Sequence, residues 1–184
     1  MTGRRLEDFL ELWRSYGRTL DLSSPGVLRD PKALLDLVAA YAEAIPEGVE
    51  VLDLGSGGGW PALPLAALRP DLELLLVERR SRRVAFLELA AAKLGLENVR
   101  VFAGDVRDLE GEFAHVTAQA VAPLPELFRL VRHLSPGAQN LYTARGPDWR
   151  RELAELRRRA RAEVFHVKPL AQGGTLVGVR VEPR

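Results

Sequence analysis

The chain has no cysteine, one methionine and three histidines in 184 residues. The missing cysteine excludes disulfides, thiolate metal sites and a cysteine nucleophile. The histidines, His115, His133 and His166, show no ligand spacing, so no metal site is expected. No apolar run approaches the length of a bilayer span. The opening "MTGRRLEDFLELW" carries acids among its apolar residues, which argues against a secretory leader. A cytoplasmic location without membrane contact is therefore expected. Asn and Gln are scarce, and the basic residues are nearly all arginine. Heat-adapted chains share that bias, and so do GC-rich genomes. There is no repeat, low-complexity segment or linker.

What is present is ordinary globular composition, 47% hydrophobic and 28% charged, enough for one domain with a sizeable core. The net charge is +1, so the chain is not basic overall. Its positive charge is instead clustered in "ERRSRR" (78–83) and "WRRELAELRRRARAE" (149–163). Either cluster is a solvated arginine face or a surface for nucleic-acid phosphates.

Hydrophobic spacing predicts two leading helices, over 6–17 and 30–46, the second with an Asp-Pro start and a Pro stop. From Gly48 the pattern alternates. Strands are predicted at 50–55, 72–78, 99–105, 115–121 and 138–146. Helices are predicted at 61–69, 81–96, 123–134 and 148–162. A closing strand pair follows at 162–170 and 174–182. Strict alternation implies a mostly parallel sheet covered on both faces. On the last helix, Arg150, Arg157 and Arg161 should share one face, and Trp149, Leu153, Leu156 and Ala160 the other.

The stretch "VLDLGSGGGWPALPLA" (51–66) sets glycine between a buried strand and a helix. In an open α/β sheet, ligands sit beyond the carboxyl ends of the strands. Glycines there allow φ > 0 and let a ligand lie on the backbone. No Gly-Lys-Ser/Thr follows, so a P-loop is excluded. Counting G-x-G-x-x-G from Gly55 puts Trp60 where the third glycine belongs, which disfavours a dinucleotide site. S-adenosylmethionine needs neither feature. A tight turn without a ligand is the alternative. The second strand ends in Glu78, suited to ribose hydroxyls or to pairing with nearby arginines. The third ends in "AGD" (103–105), where Asp105 and the next amide could hold an adenine edge. Trp60 is either a stacking surface in the pocket, the favoured reading, or a core aromatic.

With the loop, "SRRVAFLELAAAKLGLENVRV", "AVAPLPEL" (120–127) and "RGP" (145–147), the chain resembles the bacterial small-subunit ribosomal RNA guanine-N7 methyltransferases, the glucose-inhibited division protein B family. The match runs from about residue 50 to the C-terminus, and more loosely through "RDP" (29–31). The resemblance implies a class I S-adenosylmethionine-dependent methyltransferase. Its fold is a Rossmann-like, mostly parallel sheet with helices on both faces and one reversed strand near the edge. The division expected is a single domain, 1–184, with a short helical lead (1–47) and a Rossmann-like core (48–184). By the same resemblance the cofactor, S-adenosyl-L-methionine, lies against Gly55, Ser56, Gly57, Gly59 and Trp60. Glu78 takes the ribose, and Asp105, Val106 and Arg107 lie near the adenine. Several positions depart from the family pattern. Gln119 stands in "AQA" where the family has an arginine beside the cofactor. Arg145 replaces its lysine, "GGT" (173–175) its Arg-His pair, and the lead lacks its Asn-Leu-Thr and helical His. Gln119 and Arg145 are the candidate catalytic residues, with Gln119 also in the cofactor-binding set and Arg145 on the substrate rim.

Methyl transfer to guanine N7 meets a lone pair with no proton on it, so no general base is needed. Alignment and exclusion of water suffice. The expected activity is methylation of ribosomal RNA, free or in the small ribosomal subunit, by a monomer. The rivals are a diverged homologue that binds cofactor or RNA without transfer, and a methyltransferase with another substrate.

Overall fold

The computed structural model describes residues 2–17, 19–20, 22, 32–171 and 173–183. The "RDP" stretch and the start of the second predicted helix lie outside them. Helices α1 (Thr2–Gly17) and α2 (Lys32–Ala44) lead into β1 (Glu50–Leu54), α3 (Ala62–Leu68), β2 (Glu73–Glu78), α4 (Ser81–Leu94) and β3 (Val99–Ala103). There follow β4 (His115–Ala118), α5 (Leu124–Val131), β5 (Gln139–Arg145), α6 (Trp149–Arg157), β6 (Ala160–Pro169) and β7 (Thr175–Pro183). The strands form one seven-stranded sheet in the order β3-β2-β1-β4-β5-β7-β6. Pairing is parallel from β3 through β5, and β7 runs antiparallel to both β5 and β6. The single reversed strand is thus β7.

Each central strand is apolar on both sides, because helices cover both faces. On β2, Leu74 and Leu76 join the core beneath α1 to α4, together with Trp13, Tyr41, Leu63 and Leu87. Leu75 and Val77 join the opposite core, with Leu127, Phe128, Trp149 and Leu153 of α5 and α6. Gly95 closes α4 at φ 60, its amide bonded to the Ala91 and Ala92 carbonyls; this is the left-handed cap that glycine favours.

One predicted element is corrected. Helix α6 stops at Arg157 rather than 162, and β6 begins at Ala160. Helical propensity there yields to the sheet, since Ala160 through Val164 pair with Pro183 through Val179 of β7. Arg161 therefore does not share the helix face of Arg150 and Arg157. It lies on β6 beside Glu163, 3.2 Å away.

Candidate functional site

Register brings four strand ends to one level. Leu54 of β1 lies beside Val77 of β2 and Ala118 of β4, and Glu78 lies beside Ala103 of β3. Strand order reverses beside β1, the position where open α/β sheets bind ligands. The glycine loop starts here. The amides of Gly55 and Ser56 both donate to the Val77 carbonyl, at 2.9 and 3.1 Å, which folds the chain sharply across the end of β2. Gly55 holds φ 69, and a Cβ there would lie 3.0 Å from Val121 Cγ2. Gly59 holds φ 81, and a Cβ there would lie 2.6 Å from Leu63 Cδ1 of α3. The first glycine lets the loop pass under Val121, and the second lets α3 start against it. Ser56 is buried and gives its hydroxyl to the Asp53 carbonyl at 3.0 Å.

Glu78 is buried below this loop. One carboxylate oxygen accepts the Gly57 amide at 3.0 Å and the other the Arg80 amide at 2.8 Å. A carboxylate has about four acceptor sites, so two backbone bonds leave capacity on both oxygens for a vicinal diol. The cleft above has a volume of about 510 Å³, within the usual range for small-ligand sites. Gly55, Glu78, Gly104, Asp105, Val106 and Val121 line it. Arg79, Arg80, Arg83, Arg107 and Arg129 surround them; Arg107 is paired with Asp105 and Arg129 with Glu126, which leaves the mouth basic on balance. Sequence reading anticipated the cluster at 79–83 but not Arg129 or Glu126, which α5 brings across from the far side.

At the end of β3, Val106 is buried and Asp105 caps the short 3-10 turn Val106–Asp108. The Asp105 carboxylate takes the Arg107 amide at 3.0 Å and its guanidinium at 2.9 and 2.6 Å. The Arg107 side chain holds the Asp105 carboxyl well below the ordinary range. Asp105 thus faces the cleft as a carboxylate already gripped by its neighbour.

Two expectations are corrected by geometry. The Trp60 ring does not face the cleft. It is 8% exposed and packs edge-on against Phe9 at 5.1 Å and Trp13 at 5.5 Å between centroids. Aromatic burial among α1 side chains prevails over stacking on a ligand, and only the backbone at Trp60 follows the loop. Nor does Arg145 stand on an open rim. Its side chain is 12% exposed; Nη2 reaches both Glu152 carboxylate oxygens, at 2.8 and 2.7 Å, and Nη1 donates to the Ala122 carbonyl at 2.9 Å. Charge-assisted bonds from a guanidinium to a carboxylate are stronger than neutral ones and hold the side chain in place. Gln119 is half-buried at the end of β4, and its Oε1 meets the Tyr41 hydroxyl at 3.5 Å.

Asp53 carries no signal in the sequence beyond its place before the loop, yet it is 1% exposed. Thr117 donates to its Oδ1 at 2.6 Å, and Oδ2 has no protein partner. Burial pushes its carboxyl up to about 6, partly offset by the Thr117 hydroxyl.

The family model described as rRNA small subunit methyltransferase G matches residues 4–175 of this chain. The chain belongs to that family. A relative from Thermobifida fusca, a ribosomal RNA small subunit methyltransferase G, is 38% identical over 148 residues, 79% of this chain and 61% of that protein. One of the same name from Halorhodospira halophila is 36% identical over 83% of this chain and 73% of its own length. The chain spans about half the length of the curated relatives it matches, from 37% to 61% in three of them. Among solved structures, a SAM-dependent methyltransferase from Aquifex aeolicus superposes with TM-score 0.59 at 18% identity, covering 93% of this chain and 98% of that one. At that identity the likeness shows the class I methyltransferase fold alone. The family assignment agrees with the resemblance read from the glycine loop and the "AVAPLPEL" run.

Proposed function

We propose that this chain is an S-adenosylmethionine-dependent methyltransferase acting on small-subunit ribosomal RNA, with guanine N7 as acceptor. The observation that carries the cofactor part is the glycine loop laid over the Glu78 carboxylate at the mouth of the cleft. The site fits the cofactor in three ways. The carboxylate keeps acceptor capacity for two ribose hydroxyls. Gly55, Gly57 and Gly59 all hold positive φ and present backbone without side chains, and a Cβ at Gly55 would press on Val121 of the facing wall. Val106 and Leu130 supply apolar surface for a purine, with the Asp105 segment at its edge.

Bound there, the cofactor supplies an electrophilic methyl group on its sulfonium. The chain's own part is to bind and align. Glu78 would hold the ribose, and Asp105, Val106 and Arg107 the adenine side. Gly55, Ser56, Gly57, Gly59 and the Trp60 backbone would hold the methionine side, and Gln119 would border the acceptor base. No proton leaves N7, so the lack of a histidine base at the cleft is consistent with the reaction. Ribosomal RNA as substrate rests on family membership and on the arginine-rich mouth. Phosphate contacts made there should render binding salt-dependent. The reading includes one domain over 1–184, acting as a monomer in the cytoplasm. Among the described residues no helix is long and apolar enough to cross a membrane. No group of three or more His, Cys, Asp or Glu among them could hold a metal.

The test is incubation with labelled S-adenosylmethionine and small subunits lacking the modification, followed by mapping of the labelled nucleotide. Label at N7 of one guanine is the expected result. Cofactor binding without transfer to any RNA would favour the non-catalytic homologue, and Gln119 in place of the family's arginine is the feature that makes that outcome worth distinguishing.

A further inference from the structure

The wall of the cleft opposite the glycine loop is the segment 119–124 with the start of α5. It contributes Val121, Glu126, Arg129 and Leu130. This wall has little to hold it locally. Ala120 sits at φ 55, in the left-handed region that alanine occupies only when its surroundings impose it. Pro123 precedes α5 and offers no side-chain cap. Both deficits are met by one pair of side chains from elsewhere. Glu152 in the first turn of α6 accepts the Leu124 amide at 3.0 Å and so caps α5 from another helix. A carboxylate there also complements the positive end of the α5 dipole. The same carboxylate accepts from Nη2 of Arg145, at the end of β5, on both oxygens, and Nη1 of Arg145 donates onward to the Ala122 carbonyl.

We infer that Glu152 and Arg145 form a clamp that positions the 119–124 segment over the cofactor cleft, and that neither touches the substrate. Glu152 is the centre of the clamp, and Arg145 acts through it and through Ala122. The inference rests on the function proposed above only in naming the ligand. Loss of either side chain frees the Leu124 amide or the Ala122 carbonyl and lets Val121 leave Gly55.

The experiment measures S-adenosylhomocysteine affinity well below the unfolding temperature, together with amide hydrogen exchange across 119–126 in the free protein. Glu152→Ala and Arg145→Ala should each weaken binding on the order of tenfold. They should speed exchange in that segment and leave exchange in α4 unchanged. The double variant should bind no more weakly than either single one. Arg145→Lys should recover part of the affinity, since an ammonium can reach Glu152 but has no second nitrogen to hold the Ala122 carbonyl at the same time. Glu163→Gln, on the exposed edge of β6, should change nothing. If a truncation fails to fold, Glu152→Gln keeps the shape, removes the charge and should show the same losses in smaller degree. Additive losses in the double variant would overturn the clamp. So would wild-type binding and exchange in both single variants, and an Arg145→Ala that loses turnover alone would return the guanidinium to the substrate. If the wild type does not bind the ligand, the proposed function fails, and the exchange measurement alone decides the clamp.

Discussion

The two walls of the cleft are built differently. The wall after β1 and β2 is backbone. Gly55, Ser56 and Gly57 are fastened by hydrogen bonds from their amides to Val77 and Glu78, and the positive φ angles are taken by glycine. The wall after β4 contains an alanine at φ 55 and a helix start without its own cap, and a half-buried ion pair from β5 and α6 holds it. The first should be rigid with or without ligand, because local covalent geometry defines it. The second depends on two side chains, and their removal should loosen it without unfolding the sheet.

The strongest way to break the comparison is at the backbone wall. Gly59→Val puts a branched side chain at φ 81 with its Cβ 2.6 Å from Leu63. Left-handed strain and overpacking together should cost about 4 kcal/mol in urea unfolding. A loss under about 1 kcal/mol would mean that the loop adapts and is not rigid.

Asp53 tests the same wall from below. Its folded carboxyl titrates near 6 rather than 3.8. A raised value means that the native state holds the proton more tightly than the unfolded chain. The stabilisation is full below about pH 4 and is lost as pH rises through about 6, by up to ~3 kcal/mol. Asp53→Asn should therefore match wild type at low pH and exceed its stability increasingly toward pH 7. A stability difference independent of pH would show that Asp53 is not desolvated.

Glu78→Gln should act on ligand more than on fold. The amide would turn an NH2 toward one of the two backbone donors and offer fewer acceptors to a ribose. S-adenosylhomocysteine affinity should fall by about 2 kcal/mol. Calorimetry finding wild-type affinity would remove Glu78 from the site.

The smallest effect belongs to the basic mouth. Replacing Arg79 and Arg80 by Glu should leave the urea midpoint unchanged and flatten the log–log salt dependence of RNA binding by about one unit per lost phosphate contact. An unaltered slope would assign them to a solvated face.

Much of the first wall was legible in the sequence. A strand, a glycine loop and a helix are contiguous, and the glycine run marks a turn that positive φ can serve, although only the structure shows that Gly55, Gly57 and Gly59 use it and Gly58 does not. Glu78 follows because a parallel β-α-β unit returns the chain to the same edge one strand over. The second wall was only half legible. "AVAPLPEL" could be matched to a family, but nothing local says that Arg145 turns back to Ala122 or that Glu152 caps Leu124. The arginine was therefore placed on the wrong side of the wall. Trp60 failed for the same reason, since its partners Phe9 and Trp13 come from the leading helix.

The sequence by itself determined the alternation of strand and helix, the closing strand pair, the glycine loop and the acid at the end of β2. Each rests on periodicity, on backbone preference or on the handed return of a parallel crossover, all of which act over short stretches of chain. Only the tertiary structure decided that α6 ends at Arg157 and that Trp60 is core. It also decided that Asp53 is buried against Thr117 and that Arg145 is spent on Glu152. Those outcomes depend on which surfaces meet across the sheet. There, burial of an aromatic ring or pairing of a buried charge outweighs anything the neighbouring residues prefer.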